Sequence, residues 1–354
     1  MKIFKIILIN LIASMVVGLI AVELLFGQWL KAGIPMGGLN ILAGKTFHHN
    51  VEGLYSPVKK IIRYERDRHG FRGRYDSVGS IEILTMGGST TEQRYINEGE
   101  TWQDRLSQNF LKDGKKVDVV NAGVDGHSSV GHLRSFDLWL SRIPGLKVSY
   151  VLIYIGINDI YTLGENEFDR KLASGADQGS VLDRSAIVYL FRTFSGWIAA
   201  ARSHDLAHRR VDFKRIPWTH QPIQKHPENF LLPYEKDYRS RLRAINREVR
   251  RMGAKPIFVT QTRAVIRNDK GLVYGNQSVR RLGSYALNGV DDYRLILGIN
   301  RLTMEECAGM GAICIDLGAE IDLNLDDYYD YYHLNPSGAE KVASYLHKKL
   351  RTWI

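Results

Sequence analysis

Ser89 stands in MGGSTTE, directly after the apolar run IEILTM, with Gly87 and Gly88 before it. A serine where a strand turns into a helix can serve as a nucleophile while its own N–H points at a developing oxyanion. The stretch also suits a helix N-cap or an anion-binding turn, since Ser or Thr ahead of TEQ caps well and Gly-rich turns hold phosphate. Farther along, NAGVDGHSS offers the backbone N–H of Gly126, and GIND offers the side-chain amide of Asn158. DYYHLNPSG pairs Asp330 with His333, a base that can also act as an acid and a carboxylate that can hold its tautomer. Each stretch is weak alone. Together, in one chain order, they describe a serine nucleophile with its base and its oxyanion donors.

Such groups need a frame, and five short apolar, β-branched runs supply one: IEILTM (81–86), VDVVN (117–121), VSYVLIYIG (148–156), PIFVTQ (256–261) and AICIDL (312–317). They read as buried strands. Between them TWQDRLSQNFLKD, HLRSFDLWLSRI, YRSRLRAINREVRRMG and YRLILGINRLTMEECAGMG have helical spacing, and PSGAEKVASYLHKKL closes the chain as an amphipathic helix. Alternating strand and helix predict a parallel sheet covered on both faces, whose ligands lie outside the carboxyl ends of the strands. The four stretches fall there. One long interruption, 162–232, separates the third and fourth strands and reads as a lid or a membrane-facing insertion.

These residues resemble the SGNH (GDSL-like) hydrolase superfamily, and the likeness is spread over residues 83–338. It implies a three-layer α/β/α sandwich with a five-stranded parallel sheet of flavodoxin-like order. Ser89 falls on the nucleophile of the first block and Gly126 on the oxyanion glycine of the second. Gly156 and Asn158 fall on G-x-N-D of the third, and Asp330 and His333 on the D-x-x-H pair of the last. The first block reads GGST rather than GDSL, so Gly88 replaces the Asp often found beside the nucleophile. Within NAGVDGHSS, Gly123 rivals Gly126, although the N-x-x-x-x-G spacing favours Gly126. The resemblance implies acyl transfer through an acyl-Ser89 intermediate, with no cofactor and no metal. RHGFRGRY (68–75) resembles a segment ahead of the first block in membrane-anchored members and is assigned to packing against the sheet.

The chain's beginning fits such an anchored member. Residues 6–26, IILINLIASMVVGLIAVELLF, contain only Asn10 and Glu23 as strongly polar members, and Lys2 and Lys5 precede them. That length spans a bilayer as a helix. The run is longer than a usual cleaved leader and lacks a clear small-x-small site, so a retained anchor is expected. The positive-inside rule puts the lysines in the cytoplasm and the bulk of the chain outside, in the periplasm if the cell has an outer membrane. No mechanism is assigned to Glu23. The expected organisation is therefore cytoplasmic tip and anchor (1–27), connector and pre-domain segment (28–78), and hydrolase domain (79–354).

Composition agrees with a folded enzyme: of 354 residues 44% are hydrophobic and 24% charged, which excludes disordered and fibrous classes. Lys plus Arg outnumber Asp plus Glu by 48 to 38, a net +10, which suits an anionic neighbour. The basic residues are not gathered into a nucleic-acid-binding motif, so no nucleic-acid partner is expected. Cys307 and Cys314 can form one bridge in an oxidising compartment or stay as two buried thiols. His204 and His208, four apart, lack the Glu of H-E-x-x-H and read as solvated histidines. Arg209, Arg210, Lys214 and Arg215 read as a solvated basic face or a contact for lipid head groups, and Trp197 and Trp218 as packed aromatics or, less commonly, the lining of an acyl or sugar site. Asp159 reads as a helix N-terminal residue. The expected function is a serine esterase acting on O-acyl, chiefly acetyl, esters of a cell-envelope glycan or lipid. An O-acyltransferase using the same serine and a silent glycan- or lipid-binding module are the alternatives.

Overall fold

A computed structural model describes residues 2–27, 39–162, 185–188, 190–191, 206, 208–268 and 270–354. Helix α1 (Lys2–Phe26) holds a 23-residue stretch, Phe4–Phe26, of mean hydropathy 2.4 with none of it buried. An apolar helix left uncovered by its own protein is long and apolar enough to cross a membrane. Glu23, near its end, accepts the hydroxyl of Ser185 and the N–H groups of Ala186 and Ile187, so it caps a turn that belongs to the insertion.

Strands β1 (Lys45–Asn50) and β2 (Ile61–Arg66) form an antiparallel hairpin. The two-residue period of a strand turns Ile62, Tyr64 and Arg66 inward together. Leu39, Ile41 and Phe71, from the stretch read as a connector, belong to the main hydrophobic core. RHGFRGRY packs on the sheet as expected. Phe71 lies against Trp139 with ring centroids 5.3 Å apart, and Arg72 exchanges two backbone hydrogen bonds of 2.9 Å with Asn121.

All five expected strands are present: β3 (Ile81–Gly87), β4 (Val119–Asn121), β5 (Val148–Tyr154), then, after the two-residue strand β6 (Trp218–Thr219), β7 (Lys255–Val259). Strands β8 (Ile266–Arg267), β9 (Val273–Asn276), β10 (Arg280–Leu282) and β11 (Tyr285–Leu287) follow, and β12 (Ile313–Ile315) is the fifth. The five pair in parallel in the order β4-β3-β5-β7-β12, so β3 and β5 flank the point where the chain reverses its direction of winding. Ligands of such sheets bind there.

Helices cover both faces. On one, α2 (Ser89–Glu92) leads to α3 (Trp102–Lys112), whose Trp102, Leu106 and Phe110 pack on Ile83, Leu152 and Ile257. The opposite face takes α4 (Ser129–Leu138), α5 (Ile157–Thr162), α6 (Leu232–Arg251) and α7 (Gly289–Gly309), with Phe136, Ile160, Leu242 and Ile299 against Leu84, Val151 and Phe258. The short α8 (Leu317–Glu320) precedes α9 (Pro336–Leu350), which returns to the first face through Val342 and Leu346. This is the three-layer sandwich. Alternate residues of each strand feed opposite layers because successive side chains point to opposite faces.

Two features lie beyond the five-strand expectation. Strands β6, β9 and β8 form a small antiparallel sheet and β10 with β11 a hairpin, in stretches too short and too polar to carry a clear period. Cys307 and Cys314 are bonded, joining the end of α7 to β12. Most of the insertion, with His204 and Trp197, lies outside the described residues.

Candidate active site

Ser89 is the first residue of α2, and the capping position before it is Gly88, so the serine hydroxyl is not the helix cap. The hydroxyl turns instead to His333, with Oγ 2.7 Å from Nε2. On the other edge of the ring, Nδ1 lies 2.7 Å from Asp330 Oδ2 and 3.0 Å from Oδ1. Asp330 is held by its own turn, since Oδ1 accepts the N–H groups of Tyr332 and His333 at 2.8 Å each. Asn335 then caps α9 by accepting the N–H groups of Ser337 and Gly338, and Pro336 occupies the first turn. The helix cap two residues beyond His333 thus fixes the loop that carries the imidazole. The His333 and Asp330 side chains are each 14% exposed, enough for a substrate to reach and too little for bulk water to dilute their interaction.

The donor stretches converge from the neighbouring strand ends. Gly156, with φ of 121°, turns β5 into α5, a conformation that favours glycine, and so places Asn158 in the helix's first turn. Asn158 Nδ2 donates to the carbonyl of His127 at 2.9 Å, which orients the amide; a second N–H remains on the same nitrogen. A Cβ on Gly88 would lie 2.5 Å from Asn158 Nδ2 and 3.2 Å from the His127 oxygen, so the Ser89 turn, the Gly126–His127 loop and Asn158 meet around a residue whose lack of a side chain leaves room for the amide. Gly126 itself has φ of 78°. The rival, Gly123, has its N–H taken by Asn121 Oδ1 at 2.8 Å, while the Gly126 N–H turns toward the Asp125 carboxylate. The N–H of Ser89, at a helix start, has no intrahelical acceptor.

Asp159 is buried and does more than favour its helix. It accepts the N–H and hydroxyl of Ser129 and lies 3.6 Å from Arg241, tying α4, α5 and α6 together beside Asn158.

Sequence reasoning missed two groups here. The first is a buried ionic cluster. Glu92, one turn after Ser89, pairs with Arg66 at 3.4 Å and Arg94 at 3.1 Å, and accepts the Tyr64 hydroxyl and the Asp125 N–H. Burial alone would raise the Glu92 carboxyl, but the guanidinium groups of Arg66 and Arg94 overcome it and hold the group well below the usual carboxylate range. Asp125, the residue before Gly126, is shifted upward, by burial first and then by the Glu92 charge. The only trace in the sequence is the inward period of Ile62, Tyr64 and Arg66.

The second is His208. The expectation of a solvated histidine is corrected: its ring lies against that of His333 with centroids 4.0 Å apart, and Nδ1 is 2.8 Å from the Tyr329 hydroxyl. Nothing in the spacing of a histidine from the far end of a long insertion could reveal this. His208, Asp330 and His333 bring ligand atoms within 4.8 Å of one another, but both nitrogens of His333 are engaged by Ser89 and Asp330. Arg209, Arg210, Lys214 and Arg215 are exposed, and Trp218 is half-buried with its N–H on the Phe213 carbonyl at 3.2 Å.

The arrangement can deliver an activated hydroxyl to a carbonyl carbon beside an amide donor. The sequence profile of the GDSL-like Lipase/Acylhydrolase family matches residues 85–341, a span that runs from β3 into α9. Among solved structures, a catalytic mutant of an acetylxylan esterase from Geobacillus stearothermophilus is 13% identical, with a TM-score of 0.42, covering 77% of this chain and 93% of that one. The native aryl esterase of M. smegmatis is 12% identical, with a TM-score of 0.41 over 78% of this chain and 100% of that one. A member of the lipolytic G-D-S-L family from Veillonella parvula is 13% identical, with a TM-score of 0.42 over 78% and 100%. No match was found among curated proteins. With the profile covering well over half of its length, the chain belongs to the GDSL-like (SGNH) lipase/acylhydrolase family and is an ester-hydrolysing enzyme.

Proposed function

We propose that this enzyme removes O-acyl groups, acetyl foremost, from a cell-envelope glycan or lipid, through an acyl-Ser89 intermediate and on the outer side of the membrane that its N-terminal helix spans. The observation that carries the reading is the hydrogen-bonded chain Ser89–His333–Asp330 at the carboxyl ends of the strands. His333 takes the Ser89 proton as Oγ adds to the ester carbonyl. The oxyanion is received by the N–H groups of Ser89 and Gly126 and by Asn158 Nδ2. Collapse breaks the C–O bond and the alcohol leaves with the proton from His333. Water then adds to the acyl-serine under the same base, and the acid departs with Ser89 restored. The apolar helix after Lys2 and Lys5 and the bond between Cys307 and Cys314 both support an extracytoplasmic setting.

The test is stoichiometric labelling of Ser89 by a fluorophosphonate together with release of acetate from p-nitrophenyl acetate. Both should vanish in Ser89→Ala and fall sharply in His333→Ala. A folded protein that is neither labelled nor active would leave a binding module. Labelling without hydrolysis would point to transfer onto an acceptor other than water.

A further inference from the structure

We propose that His208 is a positioning residue for His333: its imidazole, laid face to face on the His333 ring and anchored through Tyr329, holds that ring in line between Ser89 and Asp330 and keeps water off its face. The inference rests on the reading of Ser89 and His333 as nucleophile and base.

Two hydrogen bonds, to Ser89 and to Asp330, fix opposite edges of the His333 imidazole. Both lie in the ring plane, so neither resists a tilt out of it, and a tilt lengthens the bond to the nucleophile. His208 supplies the missing restraint, with the planes 23° apart and the centroids at 4.0 Å. Its own placement is determined from three sides. Nδ1 meets the Tyr329 hydroxyl at 2.8 Å, and the Tyr95 ring stands nearly perpendicular to the imidazole, 80° apart with centroids at 5.1 Å. The Val211 N–H, three residues on, donates to the Tyr329 carbonyl at 2.8 Å. Tyr329 in turn gives its N–H to the His333 carbonyl at 3.1 Å and lies parallel to the His333 ring, 8° apart. The stack is therefore closed through the same short loop that carries the base.

The charge state fits that role. Burial first, then the neighbouring His333 and Arg94, push the His208 imidazole down to about 3, against the opposing pull of Asp330 and Glu92. A neutral ring can lie against the imidazolium that His333 becomes during catalysis; a second cation at that distance would oppose it. The groups facing the pair are Asp330 and Tyr329 from the last loop, Glu92, Arg94 and Tyr95 from the segment beginning at α2, and Asp125 toward His333. His208 reaches them from the far end of the insertion, so the part of the chain with no family motif contributes to the geometry of the site.

The experiment uses the full chain in detergent micelles and compares wild type, His208→Ala, His208→Phe and Ser89→Ala on p-nitrophenyl acetate from pH 5 to 9. His208→Ala should lower kcat by about tenfold with KM within twofold, because only alignment of the base is lost. The acid limb of kcat/KM should move away from that of wild type as the face of His333 opens to water. Phe keeps a flat ring on the same face without the bond to Tyr329, so His208→Phe should recover most of kcat and the wild-type limb. A kcat within twofold of wild type and an unmoved limb in His208→Ala would overturn the proposal, as would a folded His208→Phe no better than His208→Ala. Should His208→Ala fail to fold, the Phe variant decides alone: near-wild-type kcat and limb support stacking, and loss of both refutes it. Ser89→Ala separates the levels, since full activity there refutes the underlying reading whatever the His208 variants do.

Discussion

The side-chain amide of Asn158 occupies the space that a side chain on residue 88 would need: a Cβ on Gly88 would come within 2.5 Å of Nδ2. Gly88→Ala should therefore push the amide aside, and the larger Gly88→Asp the more so. The displaced group is the end of a side chain, so the melting temperature should move little. Activity should fall by ~10²–10³, the usual cost of losing one oxyanion donor. Turnover of p-nitrophenyl acetate beside a thermal melt checks both halves. A Gly88→Ala enzyme of unchanged kcat would remove Asn158 from the reaction.

Asp330→Asn should be far more damaging than its size suggests. Asp330 Oδ1 accepts two backbone N–H groups, so the amide oxygen of an asparagine would stay there and turn its NH₂ toward His333 Nδ1. That forces the proton onto Nε2, where it can no longer accept from Ser89. A loss of roughly 10³–10⁴ in kcat is expected with the fold intact, measurable by single-turnover labelling of Ser89. Asp330→Ala, which leaves the tautomer unforced, should retain more activity than Asp330→Asn.

The cluster around Glu92 predicts an acid-sensitive fold. The Glu92 carboxyl is held below its unfolded value of 4.5, to about 2, so its pairing stabilises the folded state fully above 4.5. Stability should drain away as pH falls from 4.5 toward 2. Urea midpoints of wild type should drop more steeply across that window than those of Glu92→Gln, which has no carboxyl to protonate. At pH 7, Arg66→Met should cost about 3–5 kcal/mol, because it leaves a charge buried without its principal partner. Parallel urea curves for wild type and Glu92→Gln from pH 6 to 3 would show that the cluster does not set the acid limit.

The bond between Cys307 and Cys314 closes a short loop, with a sequence separation of 7, and on chain entropy should be worth about 2 kcal/mol. The double substitution Cys307→Ser with Cys314→Ser should lower stability by about that amount while leaving kcat unchanged. Thiol alkylation of the chain as it comes from cells also tests its topology. An outward-facing domain should yield no alkylated cysteine before reduction, whereas a cytoplasmic one should yield two.

Much of this protein is legible in its sequence because the relevant information is local. A short continuous apolar run rich in β-branched side chains marks β3, β5 and β7, and each strand's carboxyl end can be located from where the apolar run stops. Ser89, Gly126 and Asn158 follow the ends of β3, β4 and β5, so the topology of a parallel sheet is enough to gather them, whereas Asp330 and His333 lie beyond β12 and α8 and are brought in by the loop before α9. The apolar stretch that ends near Phe26 needs only its length and hydropathy. The small strands β6 and β8–β11 carry too few residues to show a period, and their stability comes from what they pack on.

What only the tertiary structure decided are relations between groups that no spacing connects. Oγ of Ser89 meets His333 across 244 residues, a closure that strand order anticipates. His208 meets Tyr329 across 121 residues, and nothing in either neighbourhood anticipates it. Arg66 and Glu92 likewise appear in sequence as ordinary charges of a connector and a helix start, and become a buried pair only when the hairpin folds onto α2. Local patterns report the water-facing and core-facing sides of single elements. Burial of a charge or a stacked ring depends on which elements come to lie together, and that is set by the packing of the whole chain.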